Sequence, residues 1–210
     1  MKKVLTLGAN GAIAQYVTDF IKSDNTIELT VSARNTNGLS SQAQNAKVKQ
    51  VDVMNSAELN DAVKGQDIVY ANLSGPVDRM AEAIIKAMDA NNVKRLIFVT
   101  SLGIYGEVPG KFGEWNNRMI GSALKTYRKA ADIIEASDLD YTIVRPAWLQ
   151  DDDEVDYETT QKNESFKGTE VSRKSVGAYI ASVIQQPEKD SRASVGVDKP
   201  GTEGNKPSFY

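Results

Sequence analysis

The chain has 210 residues, ordinary apolar and charged fractions and a net charge of −3 at pH 7. This length predicts one substantial core, so we expect a single domain over residues 1–210. The small negative charge gives no electrostatic reason to expect a nucleic-acid partner. Cysteine and histidine are both absent, which excludes disulfides, thiolate metal sites and the commonest general base. Acid–base chemistry would need Tyr, Lys, Ser, Asp, Glu or water.

The first residues, MKKVLTLGANG, carry two lysines followed by an apolar run that ends after four residues at Gly8. A secretory signal needs a longer apolar run, and no stretch approaches the roughly 18 apolar residues of a membrane span. We therefore expect a soluble, cytoplasmic protein that does not contact a membrane.

Short apolar runs then alternate with longer amphipathic segments. In chain order the pattern predicts a strand at 2–8, a helix at 11–21, a strand at 27–34 and at most a short helix within the polar stretch 35–45. It continues with a strand at 47–53, a helix at 56–65 capped by Ser56, a strand at 67–75, a helix at 77–91, a strand at 94–101, a helix around 127–137 and a strand at 140–146. Such alternation predicts an α/β fold, a doubly wound parallel sheet with helices on both faces.

Two segments follow the sixth strand without a clear place in the sheet. Residues 147–170 are expected to form a small cap on the substrate side. Residues 185–210, which end in DKPGTEGNKPSFY, are rich in Gly and Pro and are expected to form an irregular tail.

The first strand and the first helix are joined by the sequence Gly8-x-x-Gly11-x-x-Ala14. Gly8 permits a sharp turn, Gly11 lets the backbone approach a pyrophosphate, and Ala14 lets the helix pack close to the sheet. Glycine-rich corners also occur for purely conformational reasons, but the alternating strands favour a dinucleotide site on a Rossmann-type sheet. The candidate phosphate-binding residues are Gly8, Asn10, Gly11, Ala12 and Ile13, because free amides at a helix start face phosphates.

Three motifs resemble the atypical short-chain dehydrogenase/reductases: the GxxGxxA loop, TSLGIYGE at 100–107, and ASDLDYTIVRPAWL at 136–149. The similarity is greatest to the NmrA-like, NAD(P)H-binding subgroup that includes biliverdin/flavin reductase-like proteins. GTEVSRKSVGAYIASVI at 168–184 resembles the C-terminal helix of that subgroup. The resemblance covers residues 1–184 and implies binding of NAD(P)H, although the subgroup is functionally mixed.

The end of the second strand indicates which dinucleotide is bound. NAD sites usually place an acidic residue there, whereas this chain has Arg34, where the family commonly carries an arginine facing the 2′-phosphate. Arg34 is either that ligand or an ordinary exposed arginine; the first reading predicts NADP(H) in preference to NAD(H). The resemblance also places further residues around the adenosine: Asp52 and Val53 at the adenine, and Ala71, Asn72, Leu73 and Ser74 beside the ribose.

The proton relay of typical family members is incomplete in this sequence. They use a Ser with a Tyr-x-x-x-Lys pair, in which Tyr donates a proton and Lys lowers its pKa. Ser101, after Thr100 at the fifth strand, fits the serine position. Tyr127 is followed four residues later by Ala131, and the alignment places Tyr127 at the lysine position of the family. Tyr127 either reaches the nicotinamide ribose or is a half-buried helix residue.

Two aromatic residues are candidates for the acceptor side. Tyr105 follows the fifth strand at the carboxyl edge, where it contacts substrate or packs within its loop. By resemblance, Pro146, Ala147 and Trp148 meet the nicotinamide, and the indole walls a flat pocket. The acidic run DDDEVDYE at 151–158 lacks the spacing of a calcium loop and is expected to be a solvated, mobile cover; no metal is expected.

These observations favour an NADP(H)-dependent oxidoreductase that transfers hydride to a small conjugated acceptor, such as a quinone or flavin, whose proton comes from solvent. The alternative is a non-catalytic, NADP(H)-sensing regulatory protein of the NmrA-like type. An epimerase or dehydratase of nucleotide sugars fits less well, because little chain follows the sixth strand. The acceptor and the oligomeric state stay open.

Overall fold

The computed structural model describes the whole chain, Met1–Tyr210, and its centre is an eight-stranded sheet. The strands in chain order are β1 (Lys2–Leu7), β2 (Ile27–Ala33), β3 (Lys47–Gln50), β4 (Ile68–Ala71), β5 (Arg95–Val99), β6 (Asp140–Pro146), β7 (Trp148–Gln150), β8 (Glu158–Thr160), β9 (Glu170–Ser172) and β10 (Ala193–Asp198). The order across the sheet is β3-β2-β1-β4-β5-β6-β10-β8, and β7 and β9 form a separate parallel pair.

All neighbours in the large sheet run parallel except β8, which pairs antiparallel with β10 at the edge. The chain moves outward from β1 to β3 and then crosses back to β4 on the other side of β1. This reversal opens a crevice at the carboxyl ends of β1 and β4, which is where doubly wound sheets bind ligands. The predicted α/β architecture is confirmed.

Six helices cover the two faces of the sheet: α1 (Ala12–Ile21), α2 (Leu39–Gln42), α3 (Ser56–Val63), α4 (Val77–Ala90), α5 (Gly110–Glu135) and α6 (Arg173–Gln185). Apolar residues of α1, α2 and α6, with Phe112 at the start of α5, form the core on one face, and those of α3, α4 and the rest of α5 form the core on the other. Helices α1 and α6 pack so closely that a Cβ at Gly177 would lie only 2.6 Å from the Cβ of Tyr16.

Several boundaries differ from the sequence prediction. Strand β3 ends at Gln50 and β4 ends at Ala71, each three or four residues before the predicted end. The cap of α3 is Asn55 and not Ser56, because the Asn55 side chain accepts hydrogen bonds from the amides of Ala57 and Glu58. Helix α5 begins at Gly110, well before the predicted segment, and is kinked at Ile120.

The predicted irregular tail at 185–210 is wrong in its first half. Residues Ala193–Asp198 form β10, which pairs parallel with β6 inside the sheet, and the residues between α6 and β10 and those beyond β10 are irregular. Within the expected cap at 147–170, β7 pairs with β9, and β8 extends the large sheet. None of the helices has both the length and the apolar character needed to cross a membrane.

Candidate functional site

The turn between β1 and α1 depends on glycine at position 8. Gly8 has φ +82°, and an added Cβ would lie 2.1 Å from the backbone carbonyl oxygen of Asn72 on β4. The amides of Gly8 and Ala9 both donate to the carbonyl oxygen of Ser32, at 3.0 and 2.9 Å. The turn is therefore held between the ends of β2 and β4, directly over the crevice.

Gly11 is the residue before α1, with the extended angles φ −66° and ψ 140°. A Cβ there would lie 2.1 Å from Nδ2 of Asn72, so the glycine makes room for that side chain. The amides of Ala12, Ile13 and Ala14 make no hydrogen bond within the protein. Unpartnered amides at a helix start, in a cradle that only glycine leaves open, suit a diphosphate.

Beside this turn lies a cleft of about 300 Å³. Its lining contains most of the residues predicted to hold the diphosphate and the adenosine, namely Gly8, Asn10, Gly11, Arg34, Asp52, Val53, Asn72 and Leu73. Ala71 lies buried at the end of β4, and Ala12 and Ile13 lie in the first turn of α1. Ser74 also lines the cleft, as expected, whereas the sequence did not identify five further lining residues: Ser32, Ala33, Asn35, Val51 and Met80.

Arg34 follows β2 at the cleft, is exposed to solvent and makes no ion pair or hydrogen bond within the protein. The side chain of Asn10 shapes the same wall by donating to the carbonyl oxygen of Asn35 at 2.7 Å. Across the cleft, the Asp52 carboxylate accepts from the amide of Met54 at 2.9 Å. The guanidinium is thus available to an anionic ligand, and its fold position is where a 2′-phosphate would bind.

A second cavity, of about 310 Å³, lies at the carboxyl ends of β5 and β6. We call it the acceptor pocket; it is lined by Ser101, Leu102, Ile120, Ala147, Trp148, Leu149, Arg173, Phe209 and Tyr210. The sequence predicted Ser101, Ala147 and Trp148 there. Arg173, Phe209 and Tyr210 come from distant parts of the chain, and only the resemblance at 168–184 drew attention to the first of them.

Hydrogen bonds between the ends of β5 and β6 hold the polar groups beside the acceptor pocket. The amide and hydroxyl of buried Thr100 both donate to the carbonyl oxygen of Val144, at 2.7 and 3.1 Å. The carbonyl oxygen of Pro146 accepts from the amide of Leu102 at 3.1 Å. Ser101 donates its hydroxyl to the carbonyl oxygen of Leu102 at 3.2 Å. Thr100 and Pro146 therefore join β5 to β6, and Ser101 is left as the hydroxyl that faces the pocket.

Three aromatic rings stand together at the acceptor pocket. The Trp148 ring lies 4.8 Å from the ring of Trp115 and 5.1 Å from that of Tyr210, and Trp115 and Tyr210 are also 5.1 Å apart. The indole nitrogen of Trp148 donates to Oδ1 of Asn116 at 2.9 Å. Because this bond fixes the indole orientation, Trp148 presents a stable flat surface.

Tyr105 lies in a different cavity, away from Ser101 and Trp148. Its hydroxyl donates to Glu135 at 2.8 Å, and its ring has Lys162 at 4.5 Å and Arg145 at 5.3 Å. Burial raises the pKa of Tyr105 above its ordinary value. This geometry gives no support to Tyr105 as a proton donor to substrate.

Tyr127 lies half-buried on α5 and packs against the core on that face of the sheet. Its hydroxyl makes no hydrogen bond, and burial raises the pKa of Tyr127. It lines neither the cleft nor the acceptor pocket. Lys129, two residues further along α5, pairs with Asp78 at 3.0 Å, so no tyrosine–lysine pair faces the acceptor pocket.

The acidic run at 151–158 is tied to neighbouring cations. Asp151 pairs with Arg173 at 2.7 Å, and Asp153 pairs with Lys174 at 2.6 Å, both at the first turn of α6. Glu154 pairs with Lys199 at 2.8 Å. The Asp151 and Asp153 side chains stay 79% and 90% exposed, so the run is solvated as expected, and its ion pairs place it against the start of α6 beside the acceptor pocket. The structure contains no group of three or more acidic side chains placed to hold a metal ion.

Comparison with known proteins agrees with this geometry. The family model for NAD(P)H-binding domains matches residues 8–187. A Rossmann-fold NAD(P)-binding family protein from Shigella flexneri is 47% identical over the full length of both chains, with a TM-score of 0.84. A short-chain dehydrogenase/reductase from Veillonella parvula DSM 2008, in complex with NADP, is 28% identical over 99% of both chains, with a TM-score of 0.91.

A third similar structure is ChuY, an anaerobillin reductase from Escherichia coli O157:H7, with 19% identity over 97% of this chain and 100% of that one and a TM-score of 0.81. At this identity the likeness shows the fold alone. A search among curated proteins finds no match. The binding family predicted from the loop and strand motifs is confirmed: the chain belongs to the NAD(P)H-binding family, has a Rossmann fold and is similar to a short-chain dehydrogenase/reductase.

Proposed function

We propose that the protein is an NADPH-dependent reductase of a small, planar, conjugated acceptor. The observation that carries this proposal is the acceptor pocket, whose lining is mostly apolar and whose flat wall is the indole of Trp148. It lies at the ends of β5 and β6, on the same sheet edge as the phosphate turn and the adenosine cleft. A dinucleotide is long enough to extend along this edge from one cavity to the other.

Different parts of the chain would hold different parts of such a cofactor. The turn at Gly8 and Gly11 and the free amides of α1 receive the diphosphate, and the cleft between β2 and β4 receives the adenosine. Bound NADPH would supply the hydride, so the protein's task is to position the acceptor and exclude water. The rings of Trp148 and Trp115 suit that task, since they shield one side of the acceptor pocket.

The preference for NADPH over NADH rests on Arg34. No acidic residue stands at the end of β2 to bind a ribose 2′-hydroxyl, and the guanidinium of Arg34 has no partner within the protein. A guanidinium binds a phosphate through two parallel hydrogen bonds. The NADP-bound relative from Veillonella parvula is consistent with this choice.

The scarcity of acid–base groups at the acceptor pocket supports the acceptor class. Arg173 and Tyr210 are its only titratable lining residues, and the hydroxyl of Ser101 already donates to a backbone carbonyl. Reduction of an isolated carbonyl needs a positioned proton donor. A quinone or flavin spreads the added charge over a conjugated system and takes its proton from water, so this pocket suits it better.

Steady-state oxidation of NADPH with a panel of quinones and flavins tests the proposal. Trp148→Ala should lower kcat/KM about tenfold or more, because the flat wall is lost, and should leave the affinity for the adenosine end nearly unchanged. Tyr105→Phe is the matched control: it removes a hydroxyl remote from the pocket, so kcat/KM should stay within about twofold.

The same scarcity of acid–base groups favours, as second candidate, a protein that senses the NADP(H) redox state. That reading expects no turnover with any acceptor, and clearly different affinities for NADP⁺ and NADPH. Calorimetric titration with both forms separates the two functions. Turnover with a planar acceptor would reject the sensor, and equal affinities without turnover would reject both.

A further inference from the structure

The segment after β10 returns to the acceptor pocket and is fastened there by Glu170. Ser208 donates its amide to Oε2 of Glu170 at 2.6 Å and its hydroxyl to Oε1 at 2.8 Å. Glu170 lies on β9, is only 8% exposed and has no cationic partner. A buried carboxylate is costly to leave without donors, so these two bonds hold the segment firmly.

Further bonds fix the same segment along its length. The Thr169 hydroxyl donates to the carbonyl oxygen of Thr202 at 2.6 Å, and the amide of Lys199 donates to the carbonyl oxygen of Glu170 at 2.8 Å. Pro207 is buried just before the fastened serine. Residues 199–208 therefore follow a defined path from β10 across β9 to the acceptor pocket.

The next two side chains form one wall of that pocket. Phe209 and Tyr210 both line it, and they keep 47% and 50% of their surface exposed. The Tyr210 ring meets Trp148 and Trp115 edge-on, at interplanar angles of 81° and 67°. Aromatic surface held rigidly at a pocket and left open to solvent is well placed to bind a flat ligand.

We propose that Phe209 and Tyr210 determine acceptor specificity, and that Glu170 is the positioning residue that holds them against the acceptor pocket. The selected acceptors are planar and have at least two fused rings, because the adjoining rings of Trp148 and Tyr210 form one aromatic surface that two fused rings cover and a single ring covers only in part. This inference rests on the proposed reductase function for the nature of the ligand. The position of the wall is independent of that function.

Kinetics with menadione (two fused rings) and 1,4-benzoquinone (one ring) test the inference. In Glu170→Ala both acceptors for Ser208 are gone, so the KM for menadione should rise about three- to tenfold, the range expected for one lost aromatic contact. The KM for benzoquinone, and kcat with either quinone, should stay within about twofold. Glu170→Gln keeps one carbonyl acceptor and should give a smaller rise. Glu203→Gln, in an exposed acid of the same segment, is the control and should change nothing.

Two further measurements keep the test decisive. Tyr210→Ala changes an exposed side chain outside the sheet and should reproduce the menadione effect even where Glu170→Ala folds poorly. The chain has two tryptophans, and both stand beside Tyr210, so quenching of their fluorescence by menadione reports binding without turnover. Quenching should require higher menadione concentrations in Glu170→Ala and Tyr210→Ala than in the wild type.

The outcomes separate this inference from the proposed function. Absence of turnover in the wild type, with quenching that still depends on Tyr210, would reject the reductase function and would support the role of Phe209 and Tyr210 in binding the ligand. Equal quenching and equal KM values in all variants would show that Phe209 and Tyr210 do not determine specificity, and would overturn the inference. A lower KM for menadione in Glu170→Ala would show that the segment obstructs the pocket, and would overturn the inference as well.

Discussion

Replacing Gly11 with alanine should weaken dinucleotide binding and leave the protein folded. Its backbone angles, φ −66° and ψ 140°, suit any residue, so the substitution causes no backbone strain. The new Cβ overlaps Nδ2 of Asn72, 2.1 Å away. That atom ends a side chain without hydrogen bonds, which can rotate at about 0.5–1.5 kcal/mol.

The net effect on stability is small. Restricting the unfolded chain by Gly→Ala contributes about 0.4–1 kcal/mol, which offsets most of the rotation of Asn72. The residual is at most about 1 kcal/mol, which would lower Tm by no more than roughly 2–4 °C for a chain of this size. Binding responds differently, because the methyl group and the displaced Asn72 side chain both intrude on the diphosphate cradle. A loss of about 1.4 kcal/mol or more, tenfold in Kd, is expected.

Calorimetric titration with NADPH, together with thermal unfolding, measures both quantities. Gly8→Ala is the contrasting variant: its φ of +82° and a Cβ placed 2.1 Å from a backbone oxygen leave no inexpensive rearrangement, so folding itself should fail. A Kd for Gly11→Ala within twofold of wild type, with an unchanged Tm, would show that the turn does not hold the diphosphate.

Three more outcomes are expected. Arg34→Ala should weaken NADPH binding roughly 10- to 150-fold, from about 1.5–3 kcal/mol for charge-assisted hydrogen bonds, and leave NADH binding and Tm unchanged; equal losses by calorimetry would contradict this. Burial raises the pKa of Asp198 to about 6, so the folded state binds the proton more tightly than the unfolded chain and loses stability as pH rises from about 4 to 6. Asp198→Asn should therefore raise Tm at pH 7.5 and not at pH 4, with about 3 kcal/mol as the upper bound, and an equal shift at both pH values would refute the assignment. Glu107→Gln leaves Arg145, fully buried beside it, without its counter-charge, which should cost about 3–5 kcal/mol and lower Tm by roughly 6–20 °C; an unchanged melting curve would contradict the burial of this pair.

The phosphate turn could be predicted because its signal is local. The apolar run of β1, the glycines and the start of α1 are adjacent in sequence, and each glycine fits a constraint that the structure shows: a positive φ at Gly8 and a close neighbour at Gly11. Arg34 was equally accessible, since it directly follows a clear strand. For α3, by contrast, the predicted capping residue, Ser56, was wrong by one position. Asn55 and Ser56 are both good capping residues, and the bond from Asn55 Nδ2 to Glu58 at 2.9 Å favours the first.

Strand β10 could not be predicted because Gly196, in its middle, makes room for side chains that are distant in the sequence. A Cβ at Gly196 would lie 2.3 Å from the hydroxyl oxygen of Thr160 and 2.7 Å from the ring of Phe166. The glycine weakens the local strand signal, and pairing with β6 and β8 overrides it. Sequence order alone reveals none of these partners.

The acceptor side depended on side-chain direction, which sequence spacing does not give. Glu107 accepts from the amides of Gly103 and Tyr105, both at 2.9 Å, and also pairs with Arg145. These bonds turn the loop so that the Tyr105 ring enters a separate cavity. The wall at Phe209 and Tyr210 depends on the bonds between Glu170 and Ser208, which are 38 residues apart in the chain.

The close packing at Gly177 fixes the spacing between the two ends of the site. Helices α1 and α6 both start at the carboxyl edge of the sheet, α1 at the phosphate turn and α6 at Arg173 in the acceptor pocket. They touch through Tyr16 and Gly177, with no side chain of Gly177 between them to absorb a displacement. A side chain larger than hydrogen at position 177 would therefore push α6 away from α1, and would displace Arg173 at the acceptor pocket relative to the phosphate turn.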